Sequence, residues 1–370
     1  MKIERGLVIM RPTEDCNLSC RYCYSAKSSD VVLMDDWTLE HALKKILNFY
    51  GHVTFVWHGG ESTLAGLDFF KRAMSFQDKY KKPGQKIINE IQTNGTLINA
   101  DWVKFFKNHG FFVGVSVDGP KEINDAVRIN QDGLGAFDSI FRGIQLMKKE
   151  GINVAGICVL AKHNINHIDE IVSFYEEQGM PLNINPFISS GKGSIFRDQL
   201  LISPTDFSRA MIDLFDRWFE NPTVKIYDFY KIVKSFFTGS NNICCYSGKC
   251  SSEYISVCPN GDVYPCGRWA GEKTFFMGNV KRDSMRKIVT SRAATDILNR
   301  RELLDDCRDC QWLEICNGGC PHTSYLYTGN IYNRDFYCKG RKKLFSHIYK
   351  KVSSSLEEAR WATKMKQAGG

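Results

Sequence analysis

Between residues 5 and 200 the sequence alternates between short apolar runs and amphipathic stretches, and this rhythm restricts the fold more than any other feature. The apolar runs at 6–10, 53–57, 87–92, 112–117, 154–160 and 182–186 read as strands. The stretches near 38–50, 67–81, 100–109, 136–150 and 165–178 carry apolar residues at helical spacing. Six strands alternating with five helices imply a parallel sheet, either doubly wound or an open barrel, because each helix returns the chain to the end where the next strand starts. In sheets of this kind active sites form at the carboxyl ends of the strands.

Composition narrows the class of protein. A chain of 370 residues is long enough for about two domains with real cores. No apolar run approaches transmembrane length, and the N-terminus has no signal-peptide pattern. Fourteen cysteines without an export signal favour a reducing cytoplasm and metal ligation over disulfides. The formal charge of +8 is densest at 339–343 with Lys350 and Lys351. That run reads as the solvated face of a terminal helix, with a patch for an acidic peptide leader as the alternative. No nucleic-acid module accompanies the charge, so neither nucleic acid nor membrane is an expected partner.

The loop after the first strand carries Cys16, Cys20 and Cys23, spaced C-x3-C-x2-C, with Tyr22 just before the last. Three thiolates at this spacing can hold three irons of a four-iron cluster, leaving the fourth to be chelated by the amine and carboxylate of a small molecule. Structural zinc is the alternative, but it normally takes a fourth Cys or His nearby, and the first histidine is His41. On these residues the chain resembles the radical S-adenosylmethionine family.

The remaining strand ends fit that resemblance. His58-Gly59-Gly60-Glu61 follows the second strand; its glycines permit close backbone approach, and Glu61 with the free carbonyls can accept from an ammonium. It resembles the family's Gly-Gly-Glu motif, with Ser62 where many relatives have Pro. Gln92-Thr93-Asn94-Gly95 and Ser116-Val117-Asp118-Gly119-Pro120 are turn sequences ending the third and fourth strands. The resemblance assigns Tyr22, Asn94, Ser116, Asp118 and Arg128 to the cofactor, with Arg128 suited to its carboxylate by the planar guanidinium fork. It also implies that adenine packs on the fifth strand at Gly156, which a plain core strand explains equally well.

Residues 191–240 change character: a loop at Gly191-Lys192-Gly193-Ser194 and two amphipathic helices, near 204–220 and 225–238, read as a bridge. Beyond it lie Cys244, Cys250, Cys266, Cys307, Cys310, Cys316, Cys320 and Cys338, enough for two four-cysteine sites. This density, with the Gly261–Cys266 hairpin and Gly278-Asn279, resembles the SPASM domain of peptide-modifying radical enzymes. The resemblance implies one auxiliary cluster on Cys244, Cys250, Cys266 and Cys320 and another on Cys307, Cys310, Cys316 and Cys338. Zinc sites are again the alternative, and Cys245 could stand in for Cys244. Cys158 reads as a buried apolar residue.

The expected architecture is therefore α/β: a partial (β/α)6 TIM-type barrel at 1–200, a helical bridge at 201–240, a SPASM domain at 241–340 and a C-terminal helix at 341–370. The resemblance implies three [4Fe-4S] clusters, S-adenosylmethionine and a flavodoxin- or ferredoxin-type electron donor. In such enzymes a reduced cluster cleaves S-adenosylmethionine, and the resulting 5′-deoxyadenosyl radical takes a hydrogen atom from substrate. The layout is similar to the anaerobic sulfatase-maturating enzymes, which oxidise Cys or Ser to formylglycine. Those enzymes carry an Asp after the hairpin cysteine, where this chain has Gly267 and Arg268, and a Gln where this chain has His58. Arginine cannot serve as a base. The expectation is accordingly a maturase of a ribosomally made precursor peptide that forms a cyclophane-type C–C crosslink. Sulfatase maturation and thioether formation are the alternatives. His58, Gln92 and Arg268 are expected to face the peptide, with His58 either a proton acceptor or satisfied by local hydrogen bonds. Fifteen residues before Cys16 are too few for a fused leader-binding domain, which implies a separate recognition protein or docking on the core. An iron–sulfur electron carrier would leave Arg128 without a role, and a zinc-stabilised interaction protein would leave the βα core unexplained.

Overall fold

The computed structural model describes residues 3–25, 30 and 32–368, with side chains to residue 356. The chain divides into two compact units, Met1–Leu201 with Lys249–Leu303, and Ile202–Gly248 with Leu304–Gly370.

The first unit is built on one sheet. Its strands are β1 (Ile3–Met10), β2 (Tyr50–Trp57), β3 (Ile87–Thr93), β4 (Phe112–Ser116), β5 (Val154–Leu160), β6 (Leu182–Pro186), β7 (Tyr254–Val257), β8 (Asp262–Tyr264) and β9 (Gly278–Asn279). They lie in the order β6-β5-β4-β3-β2-β1-β7-β8-β9. The first six are parallel in sequence order, as an open (β/α)6 arrangement requires; β7 adds to β1 in parallel, and β8 and β9 follow antiparallel. The crossovers carry α1 (Asp36–Phe49), α2 (Gly66–Tyr80), α3 (Ala100–His109), a short α4 (Lys121–Asp125), α5 (Phe137–Lys149) and α6 (Ile168–Glu177).

Strand residues alternate between two environments because successive side chains point to opposite faces. Val53, Phe55 and Trp57 of β2 are buried, and Trp57 packs edge-on against Phe69 and Phe70 of α2. Its indole donates to Asn89 Oδ1 at 2.9 Å, and Asn89 exchanges hydrogen bonds with Gln77, so this buried polar group is satisfied. On β5, Val154, Cys158 and Leu160 are buried, while Ile157 and Val159 line a cavity on the other face. Gly156 belongs to the helix side: a Cβ there would lie 2.1 Å from the Tyr175 ring of α6. The missing side chain makes room for that tyrosine, whose hydroxyl donates to Val117 O at 2.6 Å, and the expectation that adenine packs at Gly156 is corrected.

The second unit is helical. Pro204–Glu220 starts at Ser203, whose side chain accepts from Asp206 N, with Pro at the first turn. It packs through Phe215 and Trp218 against Phe229 of Tyr227–Thr238. The C-terminal helix Cys338–Ala368 runs so close to Pro204–Glu220 that a Cβ on Gly340 would meet Pro204 O at 2.1 Å. The basic run is not one solvated face. Arg341 is buried against Asp335 at 2.6 Å, and Lys351 pairs with Asp216 and Glu220. Among the described residues no helix is long and apolar enough to cross a membrane.

Candidate active site

A cavity of about 230 Å³ opens at the carboxyl ends of the parallel strands. Its wall brings together Cys16, Cys20, Tyr22 and Cys23 from the loop after β1, His58, Gly59 and Gly60 after β2, and Gln92 and Asn94 at the end of β3. Ser116, Arg128 and Arg268 complete the set of expected residues that face it. Glu61 and Asp118 do not line it.

Backbone docking holds the two motif loops together. Gly60 N donates to Thr13 O at 3.0 Å and Glu61 N to Asp15 O at 2.8 Å. A Cβ on Gly60 would stand 2.0 Å from Asp15 O, and one on Gly59, whose φ is +148°, 2.2 Å from Thr13 O. Only glycine permits that approach. The Glu61 carboxylate is turned away: it accepts from Thr63 N, Thr63 Oγ1 and Thr93 Oγ1 through Oε1, and from Asn94 N at 2.6 Å through Oε2. Burial raises its pKa, and these bonds partly offset the rise. Glu61 therefore ties the β2 turn to the β3 turn, and the backbone of Gly59 and Gly60 is what faces the cavity, a correction to the expected side-chain contact with an ammonium.

Burial pushes the Cys16 thiol up to about 11 and Cys20 to about 12, so both are protonated at neutral pH unless a metal displaces the proton. Three thiols on one loop, with no fourth cysteine among the described residues of the wall, fit a cluster that leaves one iron for an external chelator. The backbone of Gly59 and Gly60, Asn94, Ser116 and Arg128 could hold that chelator as S-adenosylmethionine.

Asp118 acts one layer behind. Its Oδ2 accepts from Arg128 Nε at 2.9 Å and from the Tyr22 hydroxyl, and its Oδ1 accepts from Val159 N at 2.8 Å. The Arg128 guanidinium lies 5.0 Å over the Tyr22 ring. Burial works against the cation, but Asp118 more than compensates and raises its pKa, so Arg128 stays charged in the wall of the cavity. The expectation that Asp118 itself contacts the cofactor is corrected: it orients Arg128 and Tyr22. Gln92 Nε2 donates to Ser116 Oγ at 2.8 Å.

At the β1 side of the cavity the structure adds a residue that sequence reasoning missed. Tyr24 directly follows Cys23, and its hydroxyl lies 3.2 Å from His58 Nε2. The Arg268 guanidinium lies 5.9 Å over its ring. The signal was available: tyrosines at 22 and 24 flank Cys23, and both line the cavity. His58 Nδ1 accepts from Gly59 N at 2.6 Å. Burial, and then the Arg11 guanidinium, push this histidine down to about 4, so the ring is neutral and presents Nε2–H to Tyr24. His58 is satisfied by local hydrogen bonds, and its acceptor nitrogen is occupied. Arg11 donates to Ser25 Oγ at 3.0 Å and to Gly267 O at 3.3 Å, fastening the turn that carries Arg268 to the end of β1. Gly193 N donates to Cys23 O at 2.9 Å, so the loop after β6 closes on the cysteine loop.

Cys250 and Cys266 also belong to this unit, as does the fully buried Cys258. Cys158 is fully buried too and lies 3.7 Å from Asp118 O, as a core residue. In the second unit Cys307, Cys310, Cys316 and Cys338 line one small cavity with Trp312 and Phe345, a donor set that fits a four-cysteine cluster. Burial pushes Cys316 up to about 12. Cys320, whose amide donates to Asp335 Oδ2 at 2.8 Å, and the exposed Cys244 lie in this unit as well.

Residues 10–175 match the radical SAM superfamily, and residues 244–311 match an iron–sulfur cluster-binding domain named SPASM. A cysteine-type anaerobic sulfatase-maturating enzyme of Clostridium perfringens is 30% identical over 363 residues, covering 94% of this chain and 97% of the relative. A serine-type enzyme of Bacteroides thetaiotaomicron is 28% identical, covering 90% and 86%. The solved structure of native anSMEcpe with bound AdoMet and Kp18Cys peptide superposes with a TM-score of 0.85 at 29% identity, covering 95% and 99% of the two chains. Streptococcus suis SuiB bound to the precursor peptide SuiA shares the fold, with a TM-score of 0.67 at 17% identity, covering 90% and 75%. These findings overturn the expected cyclophane-forming activity. That expectation gave one missing carboxylate more weight than the layout of the whole chain, which is similar to the sulfatase-maturating enzymes from end to end. With an iron–sulfur donor set at the strand ends and a relative at this identity along nearly its full length, the chain belongs to the radical SAM family of anaerobic sulfatase-maturating enzymes.

Proposed function

We propose that this protein oxidises a Cys or Ser side chain of a sulfatase-type polypeptide to formylglycine, using S-adenosylmethionine and three [4Fe-4S] clusters. The observation that carries the reading is the extent of the likeness, 94% of this chain against a cysteine-type enzyme. Cys16, Cys20 and Cys23 hold the cluster that binds S-adenosylmethionine. Gly59, Gly60, Asn94, Ser116, Arg128 and Tyr22 surround that cofactor, while His58, Gln92, Tyr24 and Arg268 face the polypeptide. The two auxiliary clusters take Cys244, Cys250, Cys266 and Cys320, and Cys307, Cys310, Cys316 and Cys338. A flavodoxin- or ferredoxin-type protein of a reducing cytoplasm supplies electrons. The substrate docks on the enzyme itself or is delivered by a separate leader-recognition protein.

The cofactors together supply a carbon-centred radical. Oxidation to the aldehyde level would remove a hydrogen atom from the substrate Cβ, a proton from its heteroatom and one electron, for which the bound cofactors would supply the radical and the electron acceptor. Serine then stands as the aldehyde; the thioaldehyde from cysteine exchanges sulfur for oxygen with water and releases hydrogen sulfide. The enzyme's side chains must hold one Cβ–H against the radical and keep water away until oxidation is complete. The test is anaerobic incubation of reconstituted protein with S-adenosylmethionine, dithionite and sulfatase-derived peptides carrying Cys or Ser. A hydrazine-reactive carbonyl at that residue is the expected product. Release of 5′-deoxyadenosine with no carbonyl on either peptide would overturn the reading.

A further inference from the structure

The heteroatom of the substrate must lose its proton, yet the cavity offers no carboxylate to take it: none of the described side chains that line it is Asp or Glu. After Cys266 the chain runs Gly267-Arg268, and neither residue can take a proton. The β1 side of the cavity presents a different set of groups. His58 Nδ1 accepts from Gly59 N at 2.6 Å, which leaves the proton of the neutral ring on Nε2, 3.2 Å from the Tyr24 oxygen. With that oxygen receiving a hydrogen from His58, the phenol's own hydrogen is available to an acceptor in the cavity Tyr24 lines. The Arg268 guanidinium lies 5.9 Å over the same ring and lines the same cavity. A permanent cation beside a hydroxyl donor is a site for an anion.

We propose that Arg268 and Tyr24 receive the reacting sulfur of the substrate as a thiolate, which makes this protein selective for cysteine over serine. The inference rests on the reading of the protein as a formylglycine-forming enzyme. The thiol proton passes to water before oxidation begins, and no side chain need take it. A free thiol has a pKa of about 8.5, and a neighbouring cation lowers it toward neutrality. A serine hydroxyl is far too weakly acidic for the same device and needs an adjacent base. His58 is a positioning residue, acting through the Tyr24 hydroxyl.

The experiment compares two sulfatase-derived peptides identical except for Cys or Ser at the reacting residue, with the reconstituted wild-type protein, Arg268→Gln, Arg268→Lys and Gly267→Asp. A Cβ at Gly267 would meet nothing nearer than 4.0 Å, at Ser256 Oγ and the Tyr24 hydroxyl, so the introduced carboxylate has room beside the reacting heteroatom. Wild-type protein is expected to form carbonyl from the Cys peptide roughly tenfold or more faster than from the Ser peptide, the size of one charged hydrogen bond. Arg268→Gln should lose that preference, Arg268→Lys should keep it, and Gly267→Asp should raise turnover of the Ser peptide. Binding measured without reductant should show the same order, with the Cys peptide tighter for wild type and equal to Ser for Arg268→Gln. Equal turnover of both peptides by wild type, or a Cys preference that survives Arg268→Gln, would overturn the proposal while leaving the maturase reading intact. Carbonyl on neither peptide would overturn both.

Discussion

Arg128 and Arg268 each lie over a tyrosine that flanks Cys23, and their surroundings divide their work. Arg128 is clamped by Asp118 and lines the cavity together with Ser116, Ile157 and Val159. Removing one charged partner of a carboxylate costs about 1.5–3 kcal/mol, or roughly ten- to a hundredfold in affinity. Arg128→Ala is therefore expected to weaken S-adenosylmethionine binding by that factor without loss of iron, as equilibrium binding on the reconstituted protein would show; unchanged affinity would make Arg128 a purely structural residue. Sequence alone located Glu61, Asp118 and Arg128 on the correct loops but not the direction each side chain takes. Turn composition places a residue at a strand end. Which donors consume its carboxylate depends on Thr63, Thr93 and Asn94 in one case and on Tyr22 and Val159 in the other, contacts between segments up to 96 residues apart.

Elements were legible where burial writes a pattern. The expected bounds of β5 and β6 coincide with those observed, because β5 is apolar to its ends and β6 alternates apolar residues with asparagine between Leu182 and Pro186. β1 and β2 each begin three residues earlier than expected: Ile3 pairs with Tyr50 and Arg5 with His52, and the polar residues there contribute a ladder but no hydrophobic signal. The glycine turn after β2 gives a test of element docking. Gly60→Ala would drive a methyl into the backbone at Asp15, which cannot yield as a side-chain tip could. Overpacking of this kind costs about 1–3 kcal/mol, and here it separates the β2 turn from the loop that carries Cys16. The variant is expected to fold with its sheet intact but to retain less iron, read as iron per protein after reconstitution. In the second unit, Asp335 fastens the start of Pro321–Thr328 to the start of Cys338–Ala368. Burial alone would raise its pKa, but Arg341 and hydrogen bonds from Thr323 and Tyr337 N outweigh burial and hold it below the usual carboxylate range. A carboxylate depressed in the folded state adds stability above its unfolded pKa of about 3.9 and loses it as pH falls through the folded value. Asp335→Ala leaves Arg341 buried without its partner and is expected to destabilise this unit by about 3–5 kcal/mol at neutral pH. The loss should shrink toward acid pH in denaturant titrations; a pH-independent loss would mean packing alone.

For the whole molecule, the function was legible in the order of the motifs and lost when one position was allowed to overrule that order. The absent carboxylate at Gly267 bears on how a proton is removed, whereas the sequence of radical core, bridge and cysteine-rich region bears on what the enzyme is. The same order sets the metal content. The proposed assignment divides eleven cysteines into sets of three, four and four, so the reconstituted protein is expected to hold about twelve irons if each set carries a four-iron cluster. The sets differ in what their loss should do. Changing Cys16, Cys20 and Cys23 together to Ala should remove about a third of the iron and abolish 5′-deoxyadenosine formation, since no other set shares a cavity with Arg128 and the Gly59–Gly60 backbone. Changing Cys307, Cys310, Cys316 and Cys338 should remove a similar amount of iron but leave the first unit's cavity unaltered, because all four lie in the second unit. Cleavage of S-adenosylmethionine should then persist while carbonyl formation fails, separating hydrogen-atom removal from the electron transfer that completes the oxidation. Iron analysis with 5′-deoxyadenosine and carbonyl assays on the same preparations reads all three quantities. A triple variant at Cys16, Cys20 and Cys23 that still makes 5′-deoxyadenosine would sink the assignment of that loop.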